Sequence, residues 1–357
     1  MTLRVIIYRL GVIPLLLLLC VLAACSQQDL DQEEQGMVSL KVLASPGTKA
    51  GEGGTATATL PAKETAIFDL SIFIFNSNGD VIGFTSQDFS DGKPTAVVVK
   101  TRKATGCSVY AVANAKTLNK GTSPFDGVST LSVFKTKFLS FPDAKAPNNA
   151  NCLLMMGVSS DFDTSSASSA SPATITLKRL ASRIDYTIAV NNDQTTGFPI
   201  VVDSYRLCNV PTSTLYQQSD FTSPSMPSSP TFADLDKVST SISSVAAPTS
   251  AGTYYVYANN GTFKDNGTSK ETYLDIQAHS EVRGAGTKYT VWKSNFQVKM
   301  PDGKVKPNYH YKIDIVINGS VTGKNGGVIT TYEAYPYFSG STLNQWQSEP
   351  DRNLDLQ

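Results

Sequence analysis

The segment ETAIFDLSIFIFNSNGDVIG, residues 64–83, is the starting point for predicting the fold. Its middle part, residues 67–75, is apolar enough to predict a central strand buried on both faces of a sheet. Asn78-Gly79 is a turn signal of β-hairpins, and the apolar residues of 81–84 predict the returning strand. The segment therefore predicts a hairpin in the interior of a β-sheet.

Similar patterns on both sides of this hairpin predict further strands. Val38, Leu40 and Val42 alternate with polar residues, which is the period of a half-buried strand. Other strands are predicted at 95–100, 107–113, 174–178, 183–190, 200–208, 253–257, 272–278, 288–299 and 309–317. Residues 114–138 carry a weak helical pattern, with Leu118, Leu131, Val133 and Phe134 on its buried side. Many short strands separated by turns predict an all-β protein of two β-sandwich domains in tandem, with few short helices.

Composition shifts along the chain predict its domain organisation. Residues 159–173 are almost wholly small or polar, as is typical of a linker. The N-terminal domain is therefore predicted over residues 37–172 and the C-terminal domain over 173–357. Residues 210–250, rich in Pro and Ser, predict a long loop excursion within the second domain.

The N-terminus has the pattern of an export signal. Arg4 and Arg9 precede the apolar residues 10–24, a stretch shorter than the roughly 20 residues of a spanning helix. Residues 1–24 therefore predict a secretory signal peptide. Small residues before Cys25 resemble the bacterial lipobox, in which the cysteine receives a lipid that anchors the chain without spanning the membrane. The alternative is an ordinary signal peptide in which Cys25 has no role.

The composition argues against several functional classes. Thirty basic residues balance thirty acidic ones, so there is no electrostatic case for binding nucleic acid. His279 and His310 are the only histidines and give histidine-based catalysis little to use. The Asp161-Phe162-Asp163 segment lacks the glycine and glutamate of a calcium loop. We predict no metal and no cofactor.

Other candidate motifs have simpler interpretations. The glycine clusters at 51–54, 284–286 and 323–327 lack the ending of a phosphate loop and predict turns. The spacing of Cys107, Cys152 and Cys208 predicts no disulfide framework, although a single disulfide between two of them remains an alternative. Lys178, Arg179 and Arg183 follow the predicted linker and are expected to pair with acids between the domains.

Several segments, in their order, resemble the fimbrillin family of Bacteroidetes, the major subunits of type V pili. They are the lipobox, a short strand with a Gly-rich loop, the segment 64–83, CSVYAVANAKTL at 107–118, LKRLASRIDYTIAV at 177–190, NYHYKIDIVINGSVTG at 308–323, and a late tryptophan, Trp346. The resemblance covers nearly the whole chain. It implies two transthyretin-like β-sandwich domains in a structural protein without enzymatic activity.

The resemblance also implies a mode of assembly. Family members are exported as lipoproteins, and an outer-membrane protease cuts the loop after the first strand. The removed strand leaves a groove that a strand of another subunit fills. Mapped onto this chain, residues 25–36 are a flexible tether, 37–43 the plug strand with Val38, Leu40 and Val42, and 44–59 the cleavable loop.

The chain departs from the family at the cleavage site. The family's cut follows an arginine, but no arginine lies between Cys25 and Arg102. Lys49, followed by Ala50, is the best candidate among Lys41, Lys49 and Lys63. Alternatively, Lys49 is a solvated loop residue, and the protein stays lipid-bound as an anchor or minor subunit at the pilus base.

The incoming strand is expected from about residues 328–347. Its candidate side chains are Val328, Ile329, Tyr332, Tyr335, Tyr337, Leu343 and Trp346. Pro336 limits this segment to a sheet edge or strand end, and the polar tail after it differs from stalk subunits, which finish close to their last apolar strand. Expected partners are other fimbrial subunits, the maturation protease, the outer membrane through the lipid, and host or bacterial surface ligands.

The expected location is the outer membrane for the precursor and the extracellular fimbrium for the assembled subunit. Two functions from other classes remain as alternatives. A glycan-binding surface lipoprotein would group aromatic side chains on one exposed face, and a secreted hydrolase would bring carboxylates together in a cleft.

Overall fold

A computed structural model describes residues 35–44, 61–94, 96–142, 145–165, 173–191, 200–243, 249–284, 287–318, 328–333 and 354–355. The candidate residues Cys25, Lys49, Ala50, Tyr335, Tyr337, Leu343 and Trp346 lie outside these ranges. The regular secondary structure of these residues is mostly β-strand with few short helices, in two units, which confirms the predicted fold class.

The first unit is a seven-stranded sheet that closes on itself in the order β1-β4-β3-β2-β5-β7-β8. Its strands are β1 (Gln35–Ala44), β2 (Asp69–Phe75), β3 (Val81–Asp88), β4 (Val97–Arg102), β5 (Cys107–Ala113), β7 (Met155–Phe162) and β8 (Ala173–Arg179). A short strand, β6 (Phe138–Ser140), lies outside this sheet. The interior of the barrel holds an aliphatic cluster that includes Val38, Leu40, Ile72, Val99 and Ile175.

Strand β2 is the central strand predicted from the sequence. It pairs antiparallel with β3 and with β5, and all its side chains are buried. Ile72 and Ile74 face the barrel interior, whereas Phe73 and Phe75 belong to an aromatic cluster on the other face. Gly79 ends the predicted turn at φ +86°, a backbone conformation that glycine adopts without a steric penalty.

In the part of the chain that the structure describes, three short α-helices accompany the first unit: α1 (Ala115–Leu118), α2 (Leu131–Thr136) and α3 (Ala146–Asn149). The Thr130 hydroxyl accepts a hydrogen bond from the Val133 amide and caps α2. Phe134 is fully buried as predicted, but Val133 is exposed, so its predicted burial is wrong. A helix this short covers only one narrow face, and that face is centred on Phe134.

The second unit is a β-sandwich. One sheet has the order β14-β10-β18-β19 and the other β15-β9-β20-β21-β22. Their facing side chains form one cluster, in which Ile184, Val202, Ile276 and Ile313 are fully or almost fully buried. The strands are β9 (Ala181–Asn191), β10 (Ile200–Cys208), β14 (Val238–Ile242), β15 (Thr249–Tyr257), β18 (Tyr273–Gly284), β19 (Thr287–Lys299), β20 (His310–Asn318), β21 (Val328–Glu333) and β22 (Leu354–Asp355).

The excursion predicted over residues 210–250 contains short ladders as well as loops. Its short strands are β11 (Val210–Pro211), β12 (Ser213–Leu215) and β13 (Phe232–Ala233), and β14 of the main sheet also lies within it. A separate small hairpin follows with β16 (Lys264–Asp265) and β17 (Thr268–Ser269). Strand β11 pairs with β13, whereas β12 pairs with β6 of the first unit. The excursion therefore contributes a backbone ladder between the two units.

The chain changes from the first unit to the second at Leu180, not at the predicted boundary before Ala173. Strand β8 pairs with β1 and β7 of the first unit, and β9 begins at Ala181 in the second. The predicted linker at 159–173 therefore connects two neighbouring strands of one sheet. Its first residues belong to β7, where polar side chains face solvent.

An aromatic cluster joins the two units. Phe73, Phe75 and Phe134 of the first unit share it with Tyr216 and Tyr257 of the second. The Phe125 and Tyr216 ring centroids lie 5.0 Å apart, and those of Phe141 and Tyr257 lie 4.9 Å apart. Most aromatic side chains in these contacts are buried. They therefore do not form the exposed platform that glycan binding by stacking requires.

Cys107, Cys152 and Cys208 are buried free thiols. Burial raises the pKa of the Cys152 thiol to about 12 and that of Cys208 to about 11, so both are poor nucleophiles at neutral pH. Within the described ranges, no helix combines the length and apolarity needed to cross a bilayer.

Candidate functional site: the strand that closes the first barrel

Strand β1 occupies the gap between two strands that are distant in sequence. Residues 35–40 pair antiparallel with β4, with Val38 opposite Val99 and Leu40 opposite Val97. Residues 40–44 pair parallel with β8, from Leu40 opposite Ala173 to Ala44 opposite Leu177. Each half of β1 thus completes a different edge, and the barrel closes through this strand.

The side chains of β1 alternate between the core and the surface. Val38 and Leu40 are fully buried in the barrel interior, whereas Met37 is 67% exposed and Lys41 is exposed. Ser39 breaks the strict alternation, since it is also buried. Burial of an aliphatic side chain stabilises a fold by about 1.5–3 kcal/mol, so Val38 and Leu40 hold β1 firmly. Val42 lies opposite Ile175 in the register.

Strand β4 depends on β1 for its backbone pairing. It forms six residue pairs with β1, but among the described residues its register with β3 is the single pair Gly83–Thr101. Strand β4 is also held by the buried side chains of Val97, Val99 and Thr101, by a hydrogen bond from the Thr101 hydroxyl to the Ile82 carbonyl, and by one from the Thr164 hydroxyl to the Arg102 carbonyl. Removal of β1 would expose the edges of β4 and β8 together with the apolar interior between them.

The described part of the predicted donor region forms a strand in the second unit. Val328, Ile329 and Tyr332 lie in β21, which pairs antiparallel with β20 from Val328 opposite Ile317 to Glu333 opposite Lys312. The other side of β21 pairs with β22 at two positions, Ile329 and Thr330. Strand β21 is therefore next to the edge strand β22 of its sheet, close to the edge position expected from Pro336.

A buried ionic network lies directly after the predicted cleavable loop. Glu64, in the 3-10 helix Ala62–Glu64, has no exposed surface. Its Oε1 accepts a hydrogen bond of 2.6 Å from the Tyr255 hydroxyl and lies 3.3 Å from Nη1 of Arg183. The Glu64 carbonyl accepts a bond of 2.7 Å from Nε of the buried Arg179. The predicted pairing of Arg183 with an acid of the other domain is confirmed.

The network extends into the second unit through Asp185. This carboxylate contacts Arg183 at 3.1 Å and His310 Nε2 at 2.7 Å, and accepts a bond of 2.6 Å from the Thr253 hydroxyl. Burial raises the pKa of Asp185, but the bonds from His310, Thr253 and Arg183 outweigh that effect and lower the pKa to about 2. Burial lowers the pKa of Arg179 to about 10, against the opposing charge of Glu64. Asp185, Arg179 and Arg183 are therefore ionised at neutral pH.

The structural roles of three residues, Glu64, Asn114 and Asn308, were not predicted from the sequence. Glu64 gave no signal, because its partners lie more than a hundred positions away in the chain. The buried Asn114 adopts φ +66° and bonds through its side chain to the backbone of Ala66, Phe68 and Leu153. Asn308, at φ +63°, accepts a bond from the Arg179 amide at the change of sheet. Asn114 stands in the Val-Ala-Asn-Ala piece that carried the family resemblance.

The two histidines each contact one aspartate. His310 contacts Asp185, and His279 Nδ1 lies 2.7 Å from Asp203 Oδ1 on the neighbouring strand β10. Among the described residues, no group of three or more His, Cys, Asp or Glu side chains converges as a metal site would require.

Comparison with known proteins identifies a family and several solved structures that are similar to this chain. Residues 37–197 match the family model described as "Major fimbrial subunit protein (FimA)". A putative cell adhesion protein from Parabacteroides distasonis is 20% identical, with 83% of this chain and 95% of that chain covered and a TM-score of 0.55. One from Bacteroides eggerthii is 18% identical, with 90% and 93% covered and a TM-score of 0.54.

The tip fimbrial protein Mfa3 from Porphyromonas gingivalis, truncated at its C-terminus, is also similar. It is 14% identical, with 83% of this chain and 98% of that chain covered and a TM-score of 0.50. These structures share the fold of the chain. No curated protein sequence matches it significantly. The family model and the shared fold confirm the resemblance to the fimbrillins that the sequence predicted.

Proposed function

We propose that this chain, whose resemblance to the fimbrillin family is confirmed, is a structural subunit of cell-surface fimbriae that polymerises by donor-strand exchange and supports adhesion. The observation that carries the proposal is the position of β1. This strand closes the barrel between β4 and β8 and buries Val38 and Leu40 completely. It is therefore suited to act as a plug that another strand replaces.

The chemistry of the vacated groove defines its ligand. Without β1, the backbone groups of β4 and β8 that now bond to it lose their partners, and an added strand satisfies them. The sites of Val38 and Leu40 accept aliphatic or aromatic side chains at alternate positions of the incoming strand. The intact plug covers both edges and so prevents premature association.

The donor strand is proposed to come from residues 328–347 of another subunit. Val328, Ile329 and Tyr332 are the apolar and aromatic residues of β21, and β21 would have to separate from only one long neighbour, β20. Tyr335, Tyr337, Leu343 and Trp346 extend the candidate strand beyond Pro336.

Cleavage is proposed between Lys49 and Ala50. Of the three lysines near the loop, Lys41 lies in β1 opposite Thr174, and Lys63 lies in a 3-10 helix with its Nζ bonded to the Asn148 carbonyl at 2.8 Å. A protease needs an extended substrate, and backbones fixed in regular structure resist it. This argument favours Lys49 within the loop 44–59.

Membrane attachment and location follow from the sequence. Cys25 is the proposed lipidation site, through which the precursor is held at the outer membrane before the subunit enters the extracellular fimbrium. The proposed partners are the maturation protease, other fimbrial subunits, and host or bacterial surface ligands.

A second candidate is a lipid-retained anchor or minor subunit at the base of the fimbrium. The absence of arginine between Cys25 and Arg102 favours it, because a protease of the family's usual specificity would leave this loop uncut. The lipid on Cys25 would then remain on the chain.

The N-terminal mass of the protein in filaments sheared from the native cells separates the candidates. A chain that begins at Ala50, or elsewhere within 44–64, supports the polymerising subunit. A chain that begins at lipidated Cys25 contradicts it and supports the anchor. A truncation after Glu333 tests the donor: we expect a folded monomer that forms no polymer, and normal polymers would refute the assigned donor region.

A further inference from the structure

We propose that Glu64 is a positioning residue for maturation, which keeps the Lys63–Glu64 peptide bond away from the protease that cuts the loop and so gives the processed chain a single N-terminus. This inference rests on the proposed cleavage at a lysine in the loop. The bond in question follows the second lysine that such a protease would meet, Lys63, fourteen positions after Lys49 by chain order.

The side chain of Lys63 is itself held. Its Nζ donates to the Asn148 carbonyl at 2.8 Å and lies 4.4 Å from the centre of the Tyr255 ring. The Asn148 side chain bonds the backbone of Tyr255 in both directions, at 2.7 Å and 3.2 Å. A protease with a pocket for lysine must extract Lys63 from these contacts before it can bind the chain.

Glu64 makes that extraction far more costly. Hydrolysis after Lys63 consumes one water and leaves a carboxylate on Lys63 and an amine on Glu64. Because a protease binds its substrate in an extended conformation, both residues must leave their positions in the fold before the bond is cut. Glu64 would have to leave a site without solvent exposure, in which it bonds Tyr255 and Arg183 through its carboxylate and Arg179 through its carbonyl. Arg183 would lose the buried carboxylate of Glu64, and the buried Arg179 would lose the carbonyl that accepts its Nε bond. Both losses are unfavourable.

The network also acts on the product of the proper cut. After cleavage at Lys49, residues 50–60 form a new N-terminal segment that the fold holds from Pro61 onwards. Because Glu64 bonds residues of β9 and β15, the retained segment stays fixed to the second unit after β1 leaves. The cut thus frees the plug and preserves the rest of the first unit.

The test is limited digestion of the full chain with an endoprotease specific for lysine, followed by mass spectrometry of the products over time. In the parent we expect cleavage after Lys49 and survival of the Lys63–Glu64 bond. In Glu64→Gln we expect cleavage after Lys63 to become on the order of a hundredfold faster, since the cut rate follows the population of the opened segment. The milder Tyr255→Phe, which removes one hydrogen bond, should give about a tenfold increase.

Two controls separate positioning from general destabilisation. Asp203→Asn removes the charge of the carboxylate that contacts His279 elsewhere in the second unit and should leave cleavage after Lys63 unchanged. Cleavage after Lys116, in α1 of the first unit, is an internal reference that should not change in Glu64→Gln. A parallel rise at Lys63 and Lys116 overturns the inference, as does a Glu64→Gln protein whose Lys63 bond survives as in the parent.

The failure of the proposed function has a different signature. A parent that is not cut after Lys49, or whose cut product forms no polymer, contradicts the proposed maturation. The rate of cleavage after Lys63 in Glu64→Gln, divided by that in the parent, comes from the same digestion experiment. This ratio tests the role of Glu64 whether or not the proposed maturation is correct.

Discussion

Replacement of Leu40 by alanine tests the proposed role of β1 most directly. Leu40 has no exposed surface and belongs to the barrel core. Truncation of a buried leucine costs about 2–5 kcal/mol, and we take about 3 kcal/mol because both neighbouring strands contact this position. In a chain whose loop has been cut, this loss lowers the equilibrium constant for plug retention by about two orders of magnitude.

The assay cuts the loop at a protease site inserted between Lys49 and Ala50. A fluorophore on the plug peptide then reports its retention during size exclusion. Met37→Ala is the matched control on the same strand, because Met37 is 67% exposed, and it should change retention by less than about threefold. Equal retention of the Leu40→Ala and Met37→Ala plugs would refute the argument that buried side chains hold β1 in place.

Three other substitutions test the structure around the site. Asn114→Ala should lower the free energy of unfolding by about 3 kcal/mol in urea titration, because it leaves buried backbone groups of Ala66, Phe68 and Leu153 without their partner. The control Asn119→Ala loses one exposed hydrogen bond and should cost less than about 1 kcal/mol. Equal losses would contradict the structural role of Asn114. Gly157→Ala should lower the free energy of unfolding by about 1–3 kcal/mol, since a Cβ atom there would lie 2.6 Å from the Thr176 carbonyl oxygen on β8. The control Val158→Ala changes an exposed side chain and should be neutral. A neutral result for Gly157→Ala as well would show that β7 and β8 can separate freely. The pKa of Asp185 is about 2 in the folded chain, below its ordinary value of 3.8. Asp185 therefore stabilises the fold by about 2 kcal/mol above pH 4, and this stabilisation is lost as the pH falls through 2. Melting temperatures between pH 5 and 2 should fall less steeply for Asp185→Asn than for the parent, and parallel curves would show that Asp185 does not contribute.

The strands could be predicted from the sequence because their signals are local. The predicted bounds 107–113 and 200–208 match β5 and β10, and the dense apolar run 67–75 became the central strand β2. Side-chain alternation and turn residues are properties of neighbouring positions, so one sequence suffices to identify them. The burial of Val38 and Leu40 followed from the same alternation.

The sheet to which each strand belongs could not be predicted in this way. Strand β8 follows a polar segment that resembles a linker, yet it pairs with β1, far away in the sequence. The partners of Glu64 are equally remote, and a single acid before an apolar run looks like a solvated residue. Pairing across such distances depends on how the whole chain closes, which periodicity does not encode.

The two-sided pairing of β1 has a mechanical consequence. Its hydrogen bonds to β4 and β8 run across the strand rather than along it. Tension applied along the strand axis therefore loads these bonds together, in shear, whereas tension from one side would break them one after another. Any strand that occupies this position in a filament under flow would share the pulling force over both edges, and rupture would require the whole seam to fail at once.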